Sequence, residues 1–171
     1  MFVAAGTRAE GFCRWVGRLG EKAAVLDEAL PGDLSLLHLE ARALLGTSLR
    51  KTLEAAREQG ALISIDLGSA DWIRSRSGSK TAYQLATIRP DILFAAQDAA
   101  AELGAPLEGL ATVPVLTLGA AGCAVYGRRV AAPPVDALDS DALMAAFCVA
   151  FVEGAAPVEA AGQAVLVAGS E

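Results

Sequence analysis

Four short apolar runs constrain the fold most strongly: Leu36–Leu39, Leu62–Ile65, Ile92–Phe94 and Val113–Leu118. None alternates strictly between apolar and polar residues. A strand with one face in water alternates, whereas a parallel strand covered by helices on both faces reads as an unbroken apolar run. Segments with helical spacing lie between and after these runs, at Thr47–Gln59, Gln97–Leu103, Asp141–Val152 and Pro157–Ala168. In the first, Leu49, Leu53 and Ala56 recur on one helical face and Gly60 supplies a stop. Pro157 suits a first helical turn, where its missing N–H costs nothing. Helix and strand in alternation imply a layered α/β domain with a mainly parallel sheet. Cys123–Gly127 and Arg128–Ala131 read as a hairpin turning at Gly127. Two weaker strand candidates, Met1–Ala4 and Phe12–Val16, stand near the N-terminus, and the serine-rich stretch Ser69–Lys80 reads as a loop.

Composition narrows the function. The 171 residues fit one domain, and a hydrophobic share of 54% argues against disorder. With 14 basic against 20 acidic residues and a net charge of −6, the chain lacks a nucleic-acid footprint and is unsuited to coating anionic membranes. The uncharged stretch Gly109–Gly127 approaches the roughly 20 residues of a membrane span. Pro114, Gly119 and Gly122 interrupt it, so it reads as strand, turn and strand. Cys13, Cys123 and Cys148 are far apart and form no CxxC pair, which supports neither a disulfide framework nor a zinc ribbon. Together with the lack of a signal-peptide pattern, this points to a cytoplasmic protein.

Few residues carry chemistry. Any Ser-His or Cys-His machinery would have to use His38, the one histidine, but a His inside an apolar strand run is more often a core residue. Ligands of open parallel sheets sit beyond the carboxyl ends of the strands. One such end is Leu116-Thr117-Leu118-Gly119-Ala120-Ala121-Gly122, where glycines let a phosphate approach the backbone. Another is the approach to the helix at Asp141. Its free N–H groups suit an anion, and an Asp there could act as a base on a hydroxyl. Alternatively, Asp139, Ser140 and Asp141 simply cap the helix.

Three segments occur together in one order: Thr117-Leu118-Gly119-x-x-Gly122, Ala132-Pro133-Pro134-Val135-Asp136, and Asp141-Ala142-Leu143-x-Ala145-Ala146-Phe147 followed by Gly154. This arrangement resembles the C-terminal signature region of the PfkB, or ribokinase-like, carbohydrate kinases. Leu62-Ile63-Ser64-Ile65-Asp66-Leu67 and Pro90-Asp91-Ile92-Leu93-Phe94-Ala95 resemble that family's middle strands, so the likeness spans most of residues 35–168. The resemblance implies a single, N-terminally truncated ribokinase-like three-layer sandwich over residues 1–171. It also implies ATP- and magnesium-dependent phosphorylation of a sugar or nucleoside hydroxyl. On it, Asp141 is the base and the backbone of Leu138, Asp139 and Ser140 holds the transferring phosphate. Thr117, Gly119 and Gly122 lie along the nucleotide.

Against the family pattern, Leu138 and Ser140 replace glycines, and Asp139 puts a carboxylate where phosphate should sit. Two unit charges about 4 Å apart repel by roughly 4 kcal/mol at an effective dielectric near 20. Ala96 and Ala99 stand where the family's Asn-x-x-Glu motif helps organise magnesium, and neither can coordinate through its side chain. Phosphoryl transfer rests almost wholly on positioning and charge stabilisation. Two expectations follow: a kinase of weak or lost activity, or a non-catalytic pseudokinase that binds or assembles. Because the family's N-terminal strands are expected to be missing, an open sheet edge predicts a homodimer or a complex with a separate N-terminal polypeptide.

Overall fold

The computed structural model describes residues 1–27, 29–45 and 49–170. Eight strands form one sheet in the order β2-β1-β3-β4-β5-β6-β7-β8. They are β1 (Phe2–Ala5), β2 (Ala23–Val25), β3 (Leu36–Glu40), β4 (Leu62–Asp66), β5 (Ile92–Ala96), β6 (Val113–Thr117), β7 (Cys123–Val125) and β8 (Arg128–Val130). β1 to β6 pair in parallel, and β7 and β8 close one end as an antiparallel hairpin. All four apolar runs are strands, each within two residues of its expected limits, and together they form the middle of the sheet. The hairpin turns at Tyr126 and Gly127, with φ of +50° and +74°, as a two-residue loop requires.

Helices cover both faces. On one side α1 (Ala9–Arg18), α6 (Ser140–Val152) and α7 (Pro157–Ala168) share a core with Phe2, Phe94 and Val115. On the other, α2 (Leu49–Glu58), α3 (Ala70–Arg76), α4 (Gly78–Ile88) and α5 (Gln97–Leu103) pack over Val3, Leu37, Ile63 and Leu93. α6 is the central element of its layer, touching both α1 and α7. Nine consecutive residues, Ala142–Ala150, are buried, so this helix is apolar all round instead of amphipathic. None of the helices in the described residues is long and apolar enough to cross a membrane.

Two expectations need correction. Phe12–Val16 is not a strand but the middle of α1. Ala9, Phe12, Trp15 and Val16 are buried at helical spacing while Glu10 and Arg14 face outward, a period of 3.6 that five residues read alone conceal. Ser69–Lys80 is not a loop but the start of two helices. Ser69 caps α3, its Oγ accepting from Trp72 N at 3.3 Å, and Ile73 is fully buried. The break falls at Ser77, where φ is +77°; at Gly78 a Cβ would stand 2.2 Å from the Glu102 carbonyl. α2 accounts for the helix expected from Thr47, with Leu53 and Ala56 buried, although residues 47 and 48 lie outside the described residues.

The N-terminal unit fixes the position of the site. From β1 the chain runs outward through α1 to β2, then returns to the other side of β1 to form β3. The strand order therefore reverses between β1 and β3, and a reversal of this kind leaves a crevice at the carboxyl ends of the strands. β1 also pairs along β3, so the chain's own first residues occupy the edge that was expected to be open.

Candidate functional site

A cavity of about 690 Å³ opens at the carboxyl ends of β3 to β6. Its floor is made where the strands stop, at Glu40, Asp66, Ala96 and Thr117. Gly119 and Gly122 border it on the sheet side, Leu138 and Ser140 on the side of α6, and Arg8 at the β1–β3 reversal. The glycine turn and the α6 approach, separate in sequence, thus meet at one opening.

Leu138, Asp139 and Ser140 adopt no left-handed backbone, so the replacement of glycine at 138 and 140 carries no conformational strain. Asp139 instead is the helix cap. Its Oδ1 accepts from Asp141 N at 2.9 Å and Ala142 N at 3.0 Å, and its Oδ2 accepts from Trp15 Nε1 at 3.2 Å. Its own N–H donates to the Ala168 carbonyl at the end of α7, at 3.3 Å. Three N–H groups of the α6 approach therefore already have partners inside the chain. An aspartate at this position is held by the N–H groups and the dipole together.

Asp141 lies in the first turn of α6, where its Oδ1 pairs with Arg8 Nη2 at 2.7 Å; the same nitrogen donates to Ser140 Oγ at 2.5 Å. α1 lies directly against the carboxylate, since a Cβ on Gly11 would stand 2.2 Å from Asp141 Oδ2. Burial raises the Asp141 pKa, Asp139 adds to this, and Arg8 opposes it. The residue expected as a base is thus covered by a helix and paired with a guanidinium.

The remaining expected residues divide between the cavity and the core. Thr117 Oγ1 donates to the Ala95 carbonyl at 3.4 Å. Gly122 is required where it stands: φ is +103°, and a Cβ would lie 2.1 Å from the Val130 carbonyl. Ala96 lines the cavity, whereas Ala99 is buried in the opposite helix layer. His38 is a core residue. It stacks on Phe12 at 4.1 Å between ring centroids, and its Nδ1 lies 3.0 Å from Ser64 Oγ. That serine is fully buried, as is Cys148 beside it, so no substrate reaches a Ser–His pair here. Burial pushes the Cys148 thiol up to about 12 and the Cys123 thiol to about 11, which keeps both protonated.

Sequence reasoning missed Arg8, Glu40 and Asp66. Glu40 is almost fully buried, its Oε2 accepting from both the N–H and the hydroxyl of Thr7 at 2.7 Å, with Arg42 at 3.8 Å from Oε1. Asp66 accepts from Gly68 N at 3.1 Å, and its pKa is raised by burial. A signal for both was present: each is a carboxylate that ends an apolar run, at the strand ends where ligands of open parallel sheets bind. Arg8 gave no such sign, because the β1–α1 turn was not recognised.

Neither family models nor curated proteins give a match. Among solved structures, adenosine kinase from Sinorhizobium meliloti superposes with a TM-score of 0.69 at 19% identity, over 81% of this chain and 49% of that one. An uncharacterized sugar kinase from Pyrococcus horikoshii in complex with ATP gives 0.73 at 14% identity, covering 99% and 91% of the two chains. Halothermothrix orenii fructokinase gives 0.65 at 16% identity, over 97% and 87%. The chain spans about half the length of the first of these, while the likeness to the Pyrococcus protein takes in the N-terminal β1–α1–β2 unit. Strand order, layering and these superpositions together give the chain the ribokinase-like fold of the PfkB carbohydrate kinases.

Proposed function

We propose that this chain is a cytoplasmic member of the PfkB family that binds a sugar- or nucleoside-like ligand at the β3–β6 cavity and has lost most or all phosphoryl transfer. The observation that carries this reading is the self-capped start of α6. The Asp139 carboxylate stands on the N–H groups of Asp141 and Ala142, and Ala168 takes the N–H of Asp139. Residues 138–141 therefore do not fit an ATP phosphate, since a phosphate would meet a carboxylate and N–H groups that already donate. Ala96, at the cavity, and Ala99, in the core, offer no side-chain oxygen to a magnesium ion.

What the residues can do is bind. Arg8 neutralises Asp141, the glycine turn leaves backbone open along one wall, and Glu40 and Asp66 offer carboxylate oxygens at the floor. The test is calorimetry with ATP, with and without magnesium, beside a coupled assay for ADP release over neutral sugars and nucleosides. Weak nucleotide binding without turnover is expected. Robust magnesium-dependent phosphorylation refutes the reading. Association is proposed through the outer side of β2, a three-residue edge strand with Val25 exposed. Sedimentation at micromolar concentration tests it, and a 17.5 kDa monomer refutes it.

A further inference from the structure

On the opposite helix layer, α2 and α4 lean on different supports. α2 packs mainly on β4 and on the 3₁₀ turn Ala41–Leu45, α4 on α3 and α5. A groove of about 620 Å³ lies between them and shares no lining residue with the β3–β6 cavity. Leu44, Leu49, Leu53, Tyr83 and Ile88 make its apolar surface. Tyr83 is 75% exposed, the most of any large apolar side chain among the described residues. Arg57 ties the two helices at one end, its Nη2 donating to the carbonyls of Ile88 and Arg89. The charge around this groove runs against that of the chain, whose net value is −6. Arg50, Lys51, Arg57, Lys80 and Arg89 are exposed on these helices and at the end of α4, against only Glu54 and Glu58. From Trp72 to Arg89 no acidic residue occurs.

An apolar floor inside a cationic rim selects its occupant. A nucleic acid would lay charged phosphates over leucines. A second copy of the same face would set cation against cation across a twofold axis. A helix with apolar residues three and four positions apart and acidic flanks meets both features, its stripe on the leucines and its carboxylates on the rim. α2 is ten residues long, or about 15 Å, so a segment of about two to three turns fills the groove. We propose that the α2–α4 groove docks an acidic amphipathic segment of another protein. Tyr83 is its exposed apolar anchor, and Arg50 and Lys51 are its charged guides. The β3–β6 cavity takes no part in this docking, which is therefore independent of the ligand and of any phosphoryl transfer.

Selection of displayed random peptides of about 15 residues on the full chain tests it, with the Tyr83→Glu variant as counter-target. Tyr83 is too exposed for this change to threaten the fold, and a thermal melt close to that of the parent checks the point. The recovered peptides are expected to be acidic, with leucine or aromatic residues at helical spacing. The best of them, labelled and followed by fluorescence anisotropy at low salt, should lose about tenfold or more in affinity on Tyr83→Glu. Replacing its acidic residues by lysine should cost as much, and the double variant Arg50→Glu, Lys51→Glu should reverse that preference. Leu166→Glu, at a site 62% exposed on α7, should leave binding unchanged. Absence of enrichment overturns the proposal, as do recovered peptides that are basic, or binding that survives Tyr83→Glu. A dimer in sedimentation that Tyr83→Glu dissociates would seat a second copy in the groove and overturn it as well.

Discussion

Acidification should destabilise the protein through His38, and the size of the effect follows from its surroundings. The imidazole is buried among Phe12, Phe94 and Ser64, and burial, aided by the positive charge of Arg8, lowers its pKa from 6.5 to about 3. The folded state therefore keeps His38 neutral, whereas the unfolded chain takes up a proton below pH 6.5. Stability is complete above that value and is lost as pH falls toward 3, by about 1.4 kcal/mol per unit through the window. Between pH 7 and pH 5 the loss from this one group is about 2 kcal/mol. Asp66 and Asp141 act in the opposite sense, because their carboxyl pKa values are raised by burial and protonation favours their folded environment. A wild-type profile thus mixes both effects, and the histidine is isolated by comparison with His38→Leu, which cannot titrate. Urea unfolding at pH 7, 6 and 5 is the assay. The wild type should lose about 2 kcal/mol more than the variant over this range. Equal losses in the two proteins would show that His38 is protonated in the folded state and refute the reasoning.

Asp139→Ala should lower stability by about 1 kcal/mol through loss of the α6 cap while raising affinity for ATP or inorganic phosphate, measured by thermal melts and calorimetry; unchanged anion affinity would refute the self-capping argument. Gly122→Ala should destabilise by at least about 2 kcal/mol in chemical unfolding, because its φ of +103° and the Val130 carbonyl both oppose a Cβ. Phe147, wedged between Phe94 at 5.4 Å and Phe151 at 6.1 Å, should cost about 3–5 kcal/mol on substitution by Ala. Gly20→Ala, where a Cβ meets nothing within 4 Å, is the milder comparison, since only its φ of +90° opposes the change.

The middle of the sheet was legible because burial on both faces leaves its mark residue by residue. Leu36–Leu39 and Ile92–Phe94 are too short for a helix of ordinary length and carry the unbroken apolar character of strands covered on both faces. α6 and α7 were legible for a related reason, as long apolar segments bounded by Asp139 and Pro157. The order of motifs also sufficed to bring Thr117, Gly119, Gly122 and residues 138–141 to one end of the molecule. Local pattern failed where two elements share few residues. α1 passed for a strand because Phe12 to Val16 contains a single turn of its period, and α3 and α4 passed for loop because serine suits caps as well as turns.

The site itself was decided by tertiary structure. Sequence gives Asp139 and Asp141 as neighbours but not their partners. Arg8 reaches Ser140 and Asp141 across 132 and 133 positions, and Trp15 reaches Asp139 across 124, only because β1 inserts beside β3 and carries α1 over the start of α6. Whether a carboxylate caps a helix, acts as a base or receives a ligand depends on which donors surround it and how much water remains. Those quantities are set by elements distant in sequence, so chain order alone could name the residues at this end of the sheet but not their roles.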